Sequence, residues 1–352
     1  MAAAQYGKTV EALLSQLPDR AREVIERRYG LGGSDPETLE SIGEGFGITR
    51  ERVRQIEASG FTQLRETTDK SVRAHVREIE QHLRAHGDLR AEHHLFEDFA
   101  SRTEPAFLQL LLDLGEPFTR HRETDDRHTV WTINPTRVSG AEAFAASVAG
   151  RLRALNRVLD EAAFWELVED EARRKRLQLT QRARVSWVGI SRAIAKGPRD
   201  MWGLTSSPEV TPRDVGDWAF IVLRGVREPV HFTDIVSHMN TLRSEHIVRE
   251  GQPRSGRPAH PQTVHNALIK DDRFVLVGRG LYALREWGYE PGTVRDVISG
   301  ILREAKHPLS RDEIVAKVAS ARRVQPNTIV LNLQNRAAFS RTADGRYVLR
   351  RA

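Results

Sequence analysis

The sequence contains no cysteine, and other absences narrow further what the chain can be. Without a thiol it can form no disulfide, no thiolate zinc site and no cysteine nucleophile, which suits a reducing compartment. The most apolar stretch, 107–114, is short and is interrupted by Gln109 and Asp113, so no membrane span is predicted. Residues 1–7 lack the basic and apolar segments of a signal peptide. We therefore expect a cytoplasmic protein.

What is present is charge, and it is distributed unevenly along the 352 residues. Residues 1–172 carry 22 Lys and Arg against 31 Asp and Glu, whereas residues 173–352 carry 32 against 17. Between residues 173 and 199 there are nine basic side chains and no acidic one. A basic half suits a polyanion such as nucleic acid, although a solvated arginine-rich surface would have the same composition. The length predicts two or more domains.

The first 66 residues are predicted to form short helices separated by turns. Apolar residues repeat at helical spacing from Val10 to Leu17, and Pro18 then begins a second helix. Glycines follow Tyr29 and end it. Two further helices should begin after the N-caps Thr38 and Thr49, with a tight turn at 45–48 between them.

The helix predicted from residue 49 to about residue 66 has an apolar and a polar face. The apolar side of its helical wheel consists of Val53, Ile56, Gly60 and Leu64. The polar side collects Arg50, Glu51, Arg54 and Gln55. A recognition helix presents such side chains to the major groove, where Arg reads guanine, Glu accepts from cytosine and Gln reads adenine. By patterning alone, a plain helical hairpin is an equal alternative.

Four strings in this segment are more specific than its periodicity, at 17–25, 28–31, 38–43 and 49–57. They resemble region 4 of the sigma-70 family, and the resemblance covers about residues 10–66. In that family the module reads the promoter −35 element and packs on the flap of RNA polymerase. By position, the resemblance implies base contacts from Arg50, Glu51 and Gln55. It also implies phosphate contacts from Thr49, Arg52 and Arg54.

Nothing downstream resembles sigma regions 2 and 3, which hold the polymerase clamp and melt the promoter. Only about ten residues precede the first predicted helix, too few for those regions. The resemblance therefore implies that this is not a complete sigma factor.

Two segments near the C-terminus repeat each other. Residues 228–236 pair with 307–315 at an offset of 79, and five positions within 263–284 recur within 328–349 at an offset of 65. The difference in length falls in 240–261, a stretch rich in Gly, Pro and Arg that is expected to be a mobile loop. Each copy predicts three helices followed by a β-hairpin, which is the order of a winged helix.

The helix starts and hairpins of this repeat resemble HARE-HTH domains, well over 212–290 and less specifically over 291–350. That family is linked to bacterial transcription, including the polymerase delta subunit, and to DNA-processing and chromatin proteins. The groove-facing helices would be 262–270 and 327–336. The candidate DNA contacts on these helices and at the wing tips are His265, Asn266, Lys270, Arg279, Asn327, Asn332, Gln334, Arg336 and Arg346.

Many winged helices bind protein instead of DNA, and charge separates the two copies in this respect. Residues 212–290 have a net charge of only +1, whereas 291–352 carry 12 Lys and Arg against 5 Asp and Glu. The last copy is therefore the better DNA candidate.

The same order of helices and hairpin is predicted over 70–140 and over 141–211, of which the second is basic; an irregular helical linker is the alternative. The fold class predicted is mainly α, with an N-terminal helix-turn-helix followed by tandem winged-helix units with small β-hairpin wings. The predicted domains are 1–69, 70–140, 141–211, 212–290 and 291–352.

No enzyme, cofactor or metal site is predicted. His82 and His86 are one helical turn apart, but they lack the glutamate of a metalloprotease motif and a third ligand nearby, which favours a solvated helix face. His93 and His94 should point in different directions. The nuclease-like Glu-x-Lys at 304–306 has helical periodicity, although that motif needs a strand.

The sequence favours a transcription regulator that selects a promoter-like element through its helix-turn-helix, with winged helices adding DNA or polymerase contacts. The alternative is an RNA polymerase accessory factor, similar to the delta subunit, with little sequence specificity. The net acidic charge of residues 1–69, with 9 Lys and Arg against 12 Asp and Glu, favours this alternative. A targeting subunit of a DNA-processing enzyme is a third possibility. Double-stranded DNA is the expected partner and core polymerase a further candidate; neither a membrane nor a small-molecule substrate is expected.

Overall fold

The computed structural model describes residues 3–249, 258–289, 293–321 and 326–350, apart from the side chains of 3–5 and 247–249. The described residues form sixteen α-helices and ten short strands, so the protein is mainly α with small antiparallel hairpins, as predicted. The chain divides into two compact units, residues 1–194 and 195–352. None of the described helices is both long and apolar enough to cross a membrane.

The first four helices are α1 (Ala3–Leu14), α2 (Asp19–Tyr29), α3 (Leu39–Phe46) and α4 (Arg50–Glu66). Both predicted N-caps are confirmed, because the hydroxyls of Thr38 and Thr49 accept hydrogen bonds from backbone N–H groups at 3.1 and 3.2 Å. Gly47 ends α3 at φ 65°, a left-handed conformation that glycine adopts without strain. The tight turn before α4 thus depends on residues within the turn itself, Gly47 and Thr49, which can be recognised in the sequence.

The next elements are α5 (Lys70–Ala85), β1 (Leu89–Ala91), α6 (Glu92–Phe99), α7 (Pro105–Leu114), β2 (Thr119–His121) and β3 (Val130–Thr132). Strand β3 pairs antiparallel with both β1 and β2. Five of the ten residues of α7 are buried leucines, and they lie on more than one side of the helix. A helix that is apolar all round is stable only when its neighbours cover it on every side.

Helix α7 is covered by the N-terminal helices, with which it shares one hydrophobic core that extends from Tyr6 to Trp131. Polar contacts accompany this packing. The Arg65 guanidinium donates to the backbone carbonyls of Leu114 at 3.3 Å and Asp113 at 3.2 Å. Residues 1–69 and 70–140 therefore pack as one body, although the sequence divides them into two patterns.

The first unit closes with α8 (Thr136–Leu155), α9 (Glu161–Arg174) and α10 (Gln181–Gly189), and a hairpin of β4 (Ile194–Lys196) and β5 (Trp202–Leu204) follows. Helix α8 begins before residue 140, so the predicted boundary at 140/141 falls inside a helix. Helix α10 packs on the preceding elements, where the Trp187 indole N–H donates to the carbonyl of Gly87 at 3.0 Å.

The second unit repeats one order of elements twice. Its first group is α11 (Val215–Val226), β6 (Val230–His231), α12 (Phe232–Arg249), α13 (Pro261–Lys270), β7 (Phe274–Gly278) and β8 (Leu281–Leu284). Its second group is α14 (Val294–Ala305), α15 (Arg311–Ala321), α16 (Pro326–Leu333), β9 (Phe339–Arg341) and β10 (Tyr347–Leu349). Each group has its own core. In the second group, an antiparallel bridge between Leu309 and Tyr347 occupies the position that the β6–β8 pairing has in the first group.

The loop predicted at 240–261 is only partly a loop. Helix α12 continues to Arg249, because the glycines and prolines that would stop it begin only at Gly251. After the residues outside the description, 250–257, the chain returns to α12, where the Asn240 side chain accepts from the backbone N–H of Ala259 at 2.9 Å.

Candidate nucleic-acid interface

Helix α4 is held by its apolar face against α2 and α3. Val53 is fully buried in a cluster with Val24 and Ile42. At Gly60 a side chain would meet Ile25, since a Cβ built there lies 3.0 Å from the Ile25 Cδ1 atom. The predicted inner face is therefore confirmed. The packing of this apolar face fixes the direction in which the opposite face of α4 points.

The six predicted contact residues lie at the N-cap and in the first two turns of α4, and all six are exposed: Thr49, Arg50, Glu51, Arg52, Arg54 and Gln55. Hydrogen bonds between side chains join two pairs of them. Arg54 donates to both carboxylate oxygens of Glu51, at 2.7 and 2.9 Å, and Arg52 donates to the Gln55 side-chain oxygen at 3.1 Å. The hydrogen bonds from Arg54 lower the pKa of Glu51, which stays ionised. These groups would exchange partners on contact with DNA, and their roles there stay a prediction.

The candidates on α13 differ in accessibility. His265 is half-buried, with its ring 4.9 Å from that of Phe232 and 5.9 Å from that of Tyr282. Much of this ring therefore packs inside the second unit. Asn266 and Lys270 are exposed, as is Arg279 in the β7–β8 turn. Sequence spacing alone could not show the ring contacts, because they come from distant elements.

The helix predicted at 327–336 ends earlier, at Leu333. Gln334 and Arg336 are exposed, but they lie in the turn before β9, outside the helix. Asn327 is exposed, whereas Asn332 is half-buried and donates to the carbonyl of Thr328 at 2.8 Å. The helix ends early because 335–338 fold back in backbone turns, in which the amides of Asn335 and Ala338 bond to carbonyls three residues earlier.

Arg346 is exposed in the β9–β10 hairpin, 3.5 Å from the Asp344 carboxylate. Two large apolar side chains on the candidate helices are exposed. Ile269 on α13 is 63% exposed and Leu331 on α16 is 64% exposed. Such side chains can meet thymine methyl groups or a partner protein. Helical periodicity places both residues off the buried face of their helices, and this spacing could have indicated from the sequence that they are exposed.

The expectation of a solvated face at His82 and His86, with no third ligand nearby, is wrong. Both are half-buried, and with Asp98 they form a group whose ligand atoms lie within 4.8 Å of one another. His82 Nε2 is 2.8 Å from an Asp98 carboxylate oxygen. Asp98 lies on α6, and only the packing of α6 against α5 brings it there, which helical spacing cannot reveal.

A buried arginine makes this group a poor cation site. Arg90 is 8% exposed and donates to both oxygens of Asp98, at 2.8 and 3.1 Å. Its positive charge would repel a metal ion bound to the same carboxylate. We therefore interpret the group as an ionic network that joins α5, β1 and α6, and the absence of a metal stays a prediction.

His93 and His94 also differ from expectation, because their rings lie 4.0 Å apart instead of pointing in different directions. Neighbouring elements surround the two rings: a Cβ built at Gly189 of α10 would lie 3.2 Å from the His94 ring, and the ring of His128 lies 4.8 Å from that of His93. Burial lowers the pKa of His94 to about 4, with a smaller contribution from the nearby charge of Arg90. His94 is therefore a neutral, half-buried side chain at neutral pH.

Comparison with known proteins covers the helix-turn-helix. Residues 13–66 match the family model described as Sigma-70, region 4. The RNA polymerase sigma factor SigA1 of Synechococcus elongatus is 46% identical over 63 residues, which are 18% of this chain and 16% of that protein. RpoS of Coxiella burnetii is 48% identical over 56 residues, 16% of each chain. SigA of Nostoc sp. is 46% identical over 63 residues, again 18% of this chain and 16% of that protein.

The match therefore spans about a sixth of the length of these relatives. Within this chain it runs from the end of α1 to the last residue of α4, and it includes both threonine caps and the exposed face of α4. Residues 13–66 of this protein are a sigma-70 region 4 domain.

Proposed function

We propose that this protein is a DNA-binding transcription regulator whose region 4 domain selects a promoter-like element. The observation that carries the proposal is the exposed start of α4, where Arg50, Glu51 and Gln55 are all accessible on a helix that packs against α2 and α3. These residue types can hydrogen bond to base edges in the major groove. The relatives are RNA polymerase sigma factors by name, and that also supports a role in transcription.

Around this reading surface, Thr49, Arg52 and Arg54 would contact phosphates. Phosphate contacts set the register of the helix on the duplex, whereas base contacts choose the sequence. Because the chain matches only one region of the sigma factors, we propose a regulator that carries this module and not a complete sigma factor. It would act in the cytoplasm, on the nucleoid.

We further propose that the two groups of the second unit are HARE-HTH-like winged helices that add DNA or polymerase contacts. Their support is the twice repeated order of three helices and a hairpin, each around its own core. The second group, rich in Lys and Arg, is the better candidate for DNA. Residues 70–140 and 141–211 would be further units of this kind, the first with a three-stranded sheet.

An RNA polymerase accessory factor with little sequence specificity is the alternative function. The acidic balance of residues 1–69 favours it, since like charge opposes tight binding to DNA. So do the exposed Ile269 and Leu331, which suit a protein partner.

Replacing two of the proposed base-contact residues tests the proposed regulator function. The full chain with Arg50→Ala and Gln55→Ala should lose most of its preference for selected DNA over scrambled DNA, since each lost bidentate base contact removes about 1–3 kcal/mol of discrimination. A matched control is Arg73→Ala with Gln81→Ala, an exposed pair of the same residue types on α5. Unchanged selectivity of the α4 variant would overturn the proposal.

Crosslinking in the host, followed by sequencing of the bound DNA, separates the two functions. Sharp peaks that share a −35-like motif, away from most active promoters, are expected of a regulator. Occupancy that follows polymerase across many promoters, without a motif, would instead establish the accessory factor and make α4 a polymerase contact.

A further inference from the structure

The turn between α9 and α10 carries an exposed basic surface that neither the resemblances nor the comparisons assign. It consists of Arg173, Lys175, Arg176 and Arg182, all exposed, and we name it the α9–α10 patch. No acidic residue occurs between positions 173 and 182. Four like charges within ten residues repel one another unless a partner of opposite charge is present.

The three acidic side chains nearest in sequence lie at the end of α9, and each of these three is paired with another cation. Glu169 lies 3.7 Å from Arg184. Asp170 pairs with Arg151, and Glu171 pairs with Arg174 at 3.2 Å. Across the described residues, the four members of the patch make no ion pair of their own. These three acidic side chains therefore form their ion pairs outside the patch.

The backbone around the patch is well defined. Arg176 adopts φ 56°, which turns the chain sharply after α9. Thr180 then caps α10 by accepting from the backbone N–H of Ala183 at 3.2 Å, the same arrangement and distance as the Thr49 cap of α4. Lys175 and Arg182 are thereby held on a folded turn and not on a flexible tail.

The accessible part of α10 limits what the patch can recognise. Beyond Arg182 no residue of this helix is exposed, and Ala183, Ser186, Trp187 and Val188 are buried. It cannot lie along a major groove as α4 could. The patch can therefore contact only a partner whose charge is accessible on its outer surface. On duplex DNA this charge is the phosphate backbone.

We propose that the α9–α10 patch binds the phosphate backbone of duplex DNA without reading bases, an inference that rests on the proposed DNA-binding function. The region 4 domain lies in a segment of net negative charge, since residues 1–172 carry 22 Lys and Arg against 31 Asp and Glu. The patch provides a concentrated positive surface in the same compact unit. It supplies backbone affinity that the acidic segment lacks.

The test measures binding of the full chain to a fluorescent duplex that has no −35-like sequence, over a series of salt concentrations. The patch variant carries Arg173→Gln, Lys175→Gln and Arg182→Gln. Its control carries Lys70→Gln, Arg73→Gln and Arg77→Gln, three exposed residues of α5 that change the net charge equally. Thermal melting verifies that both variants are folded.

If each of the three residues meets one phosphate, the slope of log affinity against log salt should fall by about 2–3 in the patch variant, with at least about a tenfold loss of affinity at low salt. The control should keep the wild-type slope. Equal losses in the two variants would mean bulk charge only, and no loss in the patch variant would point to an acidic protein partner; either result overturns the proposal.

The same variants distinguish this proposal from the reading of bases by α4. The patch variant should keep the ratio of affinities for selected and scrambled DNA, because phosphate contacts carry no sequence information. The variant at Arg50 and Gln55 should lose that ratio while binding at the patch continues. A wild-type ratio near one would reject sequence selection by α4 and leave the salt slope as an independent result.

Discussion

The hydroxyl of Tyr29, at the end of α2, donates a hydrogen bond to the Asp113 carboxylate on α7 at 2.9 Å. This bond joins the region 4 domain to the elements that follow it. Burial, reinforced by the charge of Asp113, raises the pKa of Tyr29 far above its ordinary value, so its proton stays in place. Helix α4 shares a hydrophobic core with α2 and α7 through Leu64, so it belongs to the same packed body.

Tyr29→Phe should lower the free energy of unfolding of the first unit by about 1 kcal/mol, the net worth of one partly buried hydrogen bond. The loss stays modest because Asp113 also accepts from the Gln109 side chain at 2.8 Å. Denaturant unfolding of the full chain measures the difference. Tyr347→Phe is the control, since that hydroxyl makes no hydrogen bond among the described residues. An effect no larger than the control's would contradict the coupling.

Thr49→Ala should destabilise the start of α4 by about 1 kcal/mol, because the side-chain acceptor for the Arg52 backbone N–H is lost. The predicted DNA-contact residues begin in this first turn, so DNA affinity should fall as well. Hydrogen exchange at the Arg52 amide reports the fraying directly. Thr49→Ser keeps the hydroxyl and should restore both properties; failure of this rescue would show that the cap is not the cause.

The region 4 domain could be predicted from sequence because its signals are local. Thr38 and Thr49 precede apolar helical repeats, and Gly47 ends a helix at the required backbone conformation. Each signal lies within a few residues of the structure that it determines. The four helices and the exposed face of α4 follow from these signals alone.

The remaining features depend on contacts between distant residues. Asp98 meets His82 only because α6 packs on α5. The rings of Phe232 and Tyr282 pack near that of His265 and reduce its exposure. The sharing of one core between the region 4 domain and α7 is of the same kind. Helical spacing describes one element at a time and contains no information about its neighbours.

The pKa of His94 provides a pH-dependent prediction. Its folded value of about 4 lies below the ordinary value near 6.5, so the unfolded chain binds the extra proton more readily. Stability should fall as pH decreases from about 6.5 toward 4, by up to about 3 kcal/mol from this group. Neighbouring His93, His128 and Arg90 add positive charge and act in the same direction, whereas Asp98 opposes them.

Unfolding of His94→Gln, measured between pH 7 and 4.5, isolates this contribution, and its pH dependence should be flatter than that of the wild type. This range lies above the ordinary pKa of aspartate, so protonation of Asp98 contributes little to it. His307→Gln, at an exposed position, is the control. Parallel pH profiles for wild type and His94→Gln would show that this imidazole does not limit stability in acid.

The Glu51–Arg54 pair at the surface of α4 carries the last prediction. Glu51 holds the Arg54 guanidinium through two hydrogen bonds and repels phosphates with its own charge. Glu51→Gln should therefore release Arg54 and raise affinity for scrambled DNA, with the salt slope steeper by about 1. It should lower selectivity at the same time, because a carboxylate accepts from cytosine and a neutral amide does so less well.

Fluorescence anisotropy with selected and scrambled duplexes measures both effects, and Glu40→Gln on α3 serves as an exposed acidic control. A variant with higher affinity and unchanged selectivity would remove Glu51 from the reading surface and leave it the role of holding Arg54.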